Sequence, residues 1–189
     1  MNSIIQKEFI QAQQVLQQFI ADDHNLQLIE QAGCIMTEAL KKGGKIISCG
    51  NGGSLCDAMH FAEEMTGRFR SDRTPLPAIA ISDPSYITCT ANDFGFDVIF
   101  SRYIEAIGKP GDVLLTLSTS GTSQNIILAA EKAKAMGISV IGLSGNSGGT
   151  LKSLSDVCIC VQSKGYSDRI QEVHIKIIHS LIHFIESNL

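Results

Sequence analysis

His60 and Glu64 stand four residues apart in His60-Phe-Ala-Glu-Glu64. On a helix that spacing places both on one face, with Cβ atoms about 6 Å apart. They could ligate one metal ion or work as an acid–base pair. The commoner use of the spacing is a solvated His–Glu pair, so these two residues need partners from elsewhere. A second source lies near the carboxyl end, where Asp168, Gln171, Glu172, His174, His179 and His183 share one apolar-striped segment. Histidines on a helix are usually structural or solvated, and His174 and His183 are given that reading.

Two further segments suit anions and hydroxyls. Ser48-Cys-Gly-Asn-Gly-Gly-Ser54 follows an apolar run and precedes a helical one. Its glycines let backbone approach a ligand, and a helix N-terminus there favours negative charge. Ser54 is expected to cap that helix; the alternative is a tight turn with no ligand. Ser118-Thr-Ser-Gly-Thr-Ser123 also follows an apolar run and opens a helical one. Its hydroxyls and first-turn amides describe a phosphate cradle without lysine or arginine. A Walker loop is excluded, because no Gly-Lys-Ser/Thr ending is present. Asn92 and Asp93 end a short helix, where they could bind sugar hydroxyls or cap a turn.

The elements that must hold these residues can be read from periodicity. Apolar positions at Ile5, Phe9, Ala12, Leu16 and Phe19 predict a helix over 4–20. The stripe is expected to pack within its own chain. A second helix is expected from Leu26 to Lys42, stopped by Gly43-Gly44. Five apolar runs then alternate with helical stretches. The runs are Lys45–Cys49, Ala78–Ile81, Val113–Leu117, Ser139–Leu143 and Val157–Val161. The helical stretches are 54–67, 95–107, 122–136 and 168–186. Such alternation predicts an α/β fold: a three-layer sandwich with a five-stranded parallel sheet between helices, preceded by two leading helices. The chain is read as a single domain over 1–189, with 1–42 a helical extension packed on it.

Composition narrows the classes. Hydrophobic residues make up 44% of the 189 residues and charged ones 18%, enough for a full core. The formal charge is −4, so nucleic acid is not an expected partner. No apolar stretch is long enough for a membrane span, and the N-terminus lacks the pattern of a signal peptide. A cytoplasmic location is expected. The six cysteines form no Cys-x-x-Cys pair, and most are expected to be reduced core thiols.

Taken together, the segments resemble the phosphoheptose isomerases of the sugar isomerase (SIS) superfamily over nearly the whole length. The resemblance rests on Cys-Gly-Asn-Gly-Gly-Ser, Asp-Ala-Met-His-Phe-Ala-Glu-Glu, Asn-Asp-Phe-Gly-Phe, Ser-Thr-Ser-Gly and Asp-Arg-Ile-Gln-Glu-Val-His-Ile-Lys-Ile-Ile-His. It implies conversion of sedoheptulose 7-phosphate to D-glycero-D-manno-heptose 7-phosphate, the first step towards ADP-heptose for lipopolysaccharide core. It implies Glu64 and His179 as the catalytic pair. Ser118, Thr119, Ser120 and Ser123 would bind the phosphate. Asn51, Gly52, Gly53, Ser54, Glu64, Asn92, Asp93, Asp168 and Gln171 would line the rest of the substrate. His60, Glu64, Gln171 and His179 match the family's zinc ligands, one ion per subunit, and the family is a homotetramer. Two positions depart from close relatives: Leu55 replaces an expected histidine and Thr122 an expected asparagine.

Glu64 would act as the base that moves a proton between neighbouring carbons, and His179 as the acid–base group at oxygen. A carboxylate on zinc is a weaker base, so Glu64 cannot serve fully as both ligand and base. Gln171 and His179 are eight residues apart, about 12 Å along a straight helix. That spacing leads to the expectation of a composite site, with the C-terminal helix reaching a neighbour's loop. The competing readings are a non-enzymatic SIS adaptor that binds the replication initiator DnaA, a phosphosugar-binding regulator, and an aminosugar-phosphate isomerase or etherase.

Overall fold

The computed structural model describes residues 3–189; the first two residues of the expected domain lie outside them. The apolar runs form strands because Val, Ile and Leu fill both faces of each central strand. The strands are β1 (Ile46–Gly50), β2 (Ala78–Ala80), β3 (Val113–Ser118), β4 (Ser139–Gly145) and β5 (Val157–Val161). All pair in parallel, in the order β2-β1-β3-β4-β5. Consecutive strands therefore run outward from β1 in opposite directions. This makes a switch point between β1 and β3, where an open parallel sheet leaves a crevice at its carboxyl edge.

The helices are α1 (Ile4–Ile20), α2 (Asp23–Lys41), α3 (Gly53–Thr66), α4 (Pro84–Phe94), α5 (Ile99–Ile107), α6 (Gln124–Ala135), α7 (Gly149–Leu154) and α8 (Ser167–Asn188). On one face, Met36 of α2, Phe61 and Met65 of α3, and Ile177 and Leu181 of α8 pack on Ile46, Val113 and Ile159. On the other, Ile99 and Phe100 of α5, Ile126 of α6 and Leu151 of α7 pack on Ile47, Leu114 and Val140. The expected three-layer sandwich is present.

Local details differ from expectation, each for a local reason. Helix α2 starts at Asp23, earlier than Leu26, because the Asp22 side chain accepts from the His24 amide and caps it. The stretch expected as one helix over 95–107 is broken: Gly95 takes φ +91° and a 3-10 turn over Phe96–Val98 precedes α5. Ser54 does not cap α3. Gly52 holds the cap position at φ +56°, and Ser54 is buried within the first turn. The α1 stripe packs within its chain only at its carboxyl half, where Phe19 is buried in the core and Val15 lies against it; Ile5 and Phe9 are 65% and 74% exposed. The cysteines are mostly not core thiols either. Cys49 is buried, Cys158 and Cys160 are half-buried, and Cys34, Cys56 and Cys89 are exposed, because the last three fall on outward positions of α2, α3 and α4. Among the described residues, no helix is long and apolar enough to cross a membrane.

Candidate active site

The switch-point crevice is flanked by the loop after β1 and the loop after β3. An amide pair ties them together: Asn51 Nδ2 donates to Asn125 Oδ1, and Asn125 Nδ2 donates to Asn51 Oδ1, both at 2.9 Å. Asn125 is buried in the first turn of α6. It was not singled out in the sequence, where a lone asparagine after a serine-rich loop gives no signal. The β3 loop is ordered by its own hydroxyls. Ser118 Oγ accepts from the Gly121 amide at 3.2 Å and lies 3.4 Å from Ser123 Oγ. Ser120 Oγ accepts from the amide and hydroxyl of Thr122 at 3.2 and 3.1 Å. Thr122, which departs from the family pattern, thus still shapes the loop. Ser123 occupies the cap position of α6 with no side-chain cap bond. With no side-chain cap in place, this helix N-terminus suits an anion, which the macrodipole favours.

Helices α3 and α8 cross the same layer side by side. At the start of α3, a Cβ placed on Gly53 would sit 2.8 Å from the Gln171 amide nitrogen, so the end of the Gln171 side chain packs directly on this glycine. Two turns on, His60 Nε2 of α3 meets His179 Nε2 of α8 at 3.0 Å. Glu64 Oε1 lies 3.6 Å from His60 Nε2, and Glu63 Oε1 lies 3.2 Å from His60 Nδ1. His60, Glu64 and His179 therefore gather within one chain, and no second subunit is needed to bring them together. Gln171 is held at Gly53 instead, about 10 Å of helix from His60. The solvated pair weighed above does not describe Glu64, whose side chain is 18% exposed.

This cluster fits a zinc ion by its donors. His179 Nε2 and Glu64 Oε1 each approach His60 Nε2, at 3.0 and 3.6 Å, and among the described residues the group whose ligand atoms all lie within 4.8 Å of one another is His60, Glu63 and Glu64. A tetrahedral zinc site with bonds of about 2.0–2.1 Å has ligand edges of about 3.3 Å. Glu63 Oε1, 3.2 Å from His60 Nδ1, is placed to accept a hydrogen bond there, the arrangement that would turn the Nε2 lone pair towards a metal. Its signal was present in the motif, three residues after His60. Asp57, one turn before His60, keeps Oδ2 buried without a hydrogen-bond partner; burial pushes its carboxyl up and the nearby His60 charge draws it down in part. Burial, then the nearby charges of His60, Lys176 and Arg70, hold the His179 ring below the usual histidine range, while Glu64 acts in the opposite sense. The ring is thus neutral at neutral pH, as a ligand or proton acceptor must be. It packs against Phe69, with ring centroids 5.5 Å apart.

Arg73, from the loop after α3, locks the two helices. Its Nη2 donates to Glu64 O at 2.8 Å, Nη1 to Met65 O at 2.9 Å, and Nε to Glu186 Oε1 of α8 at 2.6 Å. It thus caps the carbonyl end of α3 where Glu64 sits. Other expected site residues lie apart. Asn92 and Asp93 are exposed at the end of α4, where Asn92 Nδ2 donates to Asp93 Oδ1 at 2.8 Å. Asp168 is exposed and pairs with Arg169 at 3.2 Å. Leu55 is half-buried in α3. His174 is fully buried and donates from Nε2 to Ser144 O at 3.0 Å, as a structural histidine.

The SIS domain family matches residues 8–145. The chain is similar to the phosphoheptose isomerase of Tolumonas auensis, 57% identical over 186 residues, covering 98% of this chain and 97% of that protein. The fold is similar to that of phosphoheptose isomerase from Neisseria gonorrhoeae, with TM-score 0.90, 38% identity and 97% of each chain covered. It is also similar to a phosphoheptose isomerase from Francisella tularensis, with TM-score 0.92 and 36% identity over 99% of this chain and 100% of that one.

Proposed function

The chain belongs to the phosphoheptose isomerases of the SIS domain family and is an isomerase, and from that premise we propose that it converts sedoheptulose 7-phosphate to D-glycero-D-manno-heptose 7-phosphate. The observation that carries the chemistry is the convergence of Glu64 and His179 on His60 Nε2, at 3.6 and 3.0 Å. Ketose–aldose exchange needs a base beside the carbonyl carbon and a second group at oxygen. Glu64 removes the carbon-bound proton and returns it one carbon over. His179, neutral and half-buried, exchanges the proton at oxygen. Each group of this kind contributes roughly 10²–10⁴ in rate. Ser118, Thr119, Ser120, Ser123 and the first turn of α6 grip the phosphate, far from the reacting carbons, so its binding orients them. Asn51, Gly52, Gly53, Ser54 and Gln171 face the sugar.

Zinc, one per subunit, would be held by His60, Glu64 and His179; Gln171, held at Gly53 about 10 Å along the helix, is not placed to be the fourth ligand of the family pattern. When bound, the ion would polarise a substrate oxygen and support the enediolate charge. Glu64 then works as a base in the fraction of molecules where the ion does not hold its lone pairs. We further propose a homotetramer, supported by the exposed apolar face of α1 with Ile4, Ile5, Phe9 and Ile20. A neighbour then supplies Asn92, Asp93 and Asp168 to the substrate. A cytoplasmic role in making heptose for lipopolysaccharide core belongs to the same proposal.

The test is incubation of the purified protein with sedoheptulose 7-phosphate and coupled detection of the aldose phosphate. Turnover is expected. A folded, assembled protein that produces none, with or without zinc, would overturn the proposal and favour the adaptor reading.

A further inference from the structure

We propose that Cys158 and Cys160 form a peroxide-sensitive dithiol, oxidised reversibly to a disulfide within one strand, whose state is felt at the phosphate-gripping loop. Strand β5 is an edge of the sheet. Its alternation puts Val157, Ile159 and Val161 in the core and leaves the two cysteines half-buried on the other face. That face is covered by α7, which is six residues long. Cys158 Sγ lies 3.7 Å from Cys160 Sγ. Two residues along a strand separate Cα atoms by about 6.6 Å. Disulfides accept Cα separations up to about 6.8 Å, so the bond can form but only under tension. A tense disulfide is readily reduced, which makes the modification reversible.

The two sulfurs are not equivalent. A hydrogen bond from Cys158, aided by the Lys152 ammonium and opposed by burial, brings the Cys160 thiol down to about 7. The same bond, with burial, pushes Cys158 up. Cys160 is therefore the nucleophile and Cys158 the resolving thiol. The Cys160 thiolate attacks one oxygen of hydrogen peroxide, the O–O bond breaks, and hydroxide leaves to be protonated to water. Cys160 becomes a sulfenic acid. The Cys158 sulfur then displaces its hydroxyl, which departs as water with the Cys158 proton. Two thiols and one peroxide give one disulfide and two waters.

The path to the loop is short. A Cβ on Gly148 would lie 2.8 Å from Cys160 Sγ. A Cβ on Gly121, in the phosphate loop, would collide with the Gly148 carbonyl. Gly121 O in turn accepts from the Leu151 amide at 3.0 Å. With both glycines at positive φ and no free space, a shift of Cys160 moves Gly148 and, through it, Gly121.

Peroxide treatment of the reduced full-length protein, followed by alkylation and peptide mass mapping, tests the site. The peptide holding both cysteines should lose two hydrogens and recover them with dithiothreitol. Cys160→Ser should abolish the change, and Cys158→Ser should stop at a dimedone-trappable sulfenic acid. The exposed Cys34, Cys56 and Cys89 serve as internal comparison. Their oxidation ahead of Cys160, or oxidation of Cys158 at an unchanged rate in Cys160→Ser, would overturn the dithiol. The kinetic arm rests on the isomerase reading: oxidised protein should show a KM for the phosphosugar raised about tenfold, with kcat changed less. An unchanged KM in disulfide-bearing protein would overturn the link to the loop. Untreated protein without turnover would sink the isomerase reading and leave the mass result to decide the dithiol.

Discussion

Replacing Arg73 by methionine keeps the length of the side chain and removes its fork. The variant loses the bonds to Glu64 O, Met65 O and Glu186 Oε1. The Arg73 and Glu186 side chains are 16% and 11% exposed, so Glu186 is left as a mostly buried carboxylate without its partner. Breaking a buried pair costs about 3–5 kcal/mol, and the residual exposure argues for the lower end, about 3 kcal/mol. For a chain of this size each kcal/mol moves Tm by about 2–4 °C, so the fall should be about 6–12 °C. Thermal unfolding at one fixed protein concentration reads it, which holds any assembly contribution constant. Arg73→Lys keeps the charge but not the planar fork that spans these separate acceptors, and should fall between. Adding Glu186→Gln to Arg73→Met should cost little more, because the pair is already broken. Since Arg73 holds the last turn of α3, kcat should drop more than KM rises. A Tm within about 1 °C of the parent, or fully additive losses in the double variant, would refute the reasoning.

Three further outcomes follow from the same geometry. Asn125→Ala leaves the Asn51 amide without its partner, and should destabilise by about 1–3 kcal/mol and raise KM for the phosphosugar, read by urea unfolding and initial rates. His174 is held down to about 4 by burial, against 6.5 when unfolded, so the unfolded chain binds the extra proton between those values. Stability is therefore retained above pH 6.5 and falls as pH drops towards 4, by about 1.4 kcal/mol per pH unit from this group, and His174→Gln should flatten that slope in unfolding measurements across the window. Elemental analysis should find one zinc per chain in parent protein and none in a His60→Ala, His179→Ala double variant; equal zinc in both would remove the ion from this cluster.

The sheet was legible because its strands are buried on both faces, and continuous runs such as Val113–Leu117 leave no helical alternative of that length. The helix starts were less so. Asp22 shows that one capping side chain moves a boundary, and Gly52 that a loop can choose glycine over the serine two residues on. Helix α7 was missed because Gly149–Leu154 is one and a half turns without a repeat of its stripe. At the site, His60 and Glu64 were legible from their spacing, and the hydroxyl-rich loop from its density of donors. The partnership of His60 with His179 was not, because α3 and α8 are joined through packing and not through sequence. Asn125 and Arg73 act through long-range contacts that a single chain of letters does not display. The cysteines went wrong for a related reason. An apolar neighbourhood in sequence says nothing about which side of a helix faces out, and on β5 it hid the alternation that pairs Cys158 with Cys160.

The central claim is that Glu64 and His179, meeting at His60, move the protons of a ketose–aldose exchange. The most direct measurement is turnover of sedoheptulose 7-phosphate in deuterated water by the parent, Glu64→Gln and His179→Gln proteins, with the product read by NMR. The parent should place deuterium on the carbon beside the new aldehyde, and each variant should lose roughly 10²–10⁴ in rate with its thermal unfolding unchanged. Deuterium incorporation at parental rates in Glu64→Gln would contradict the claim.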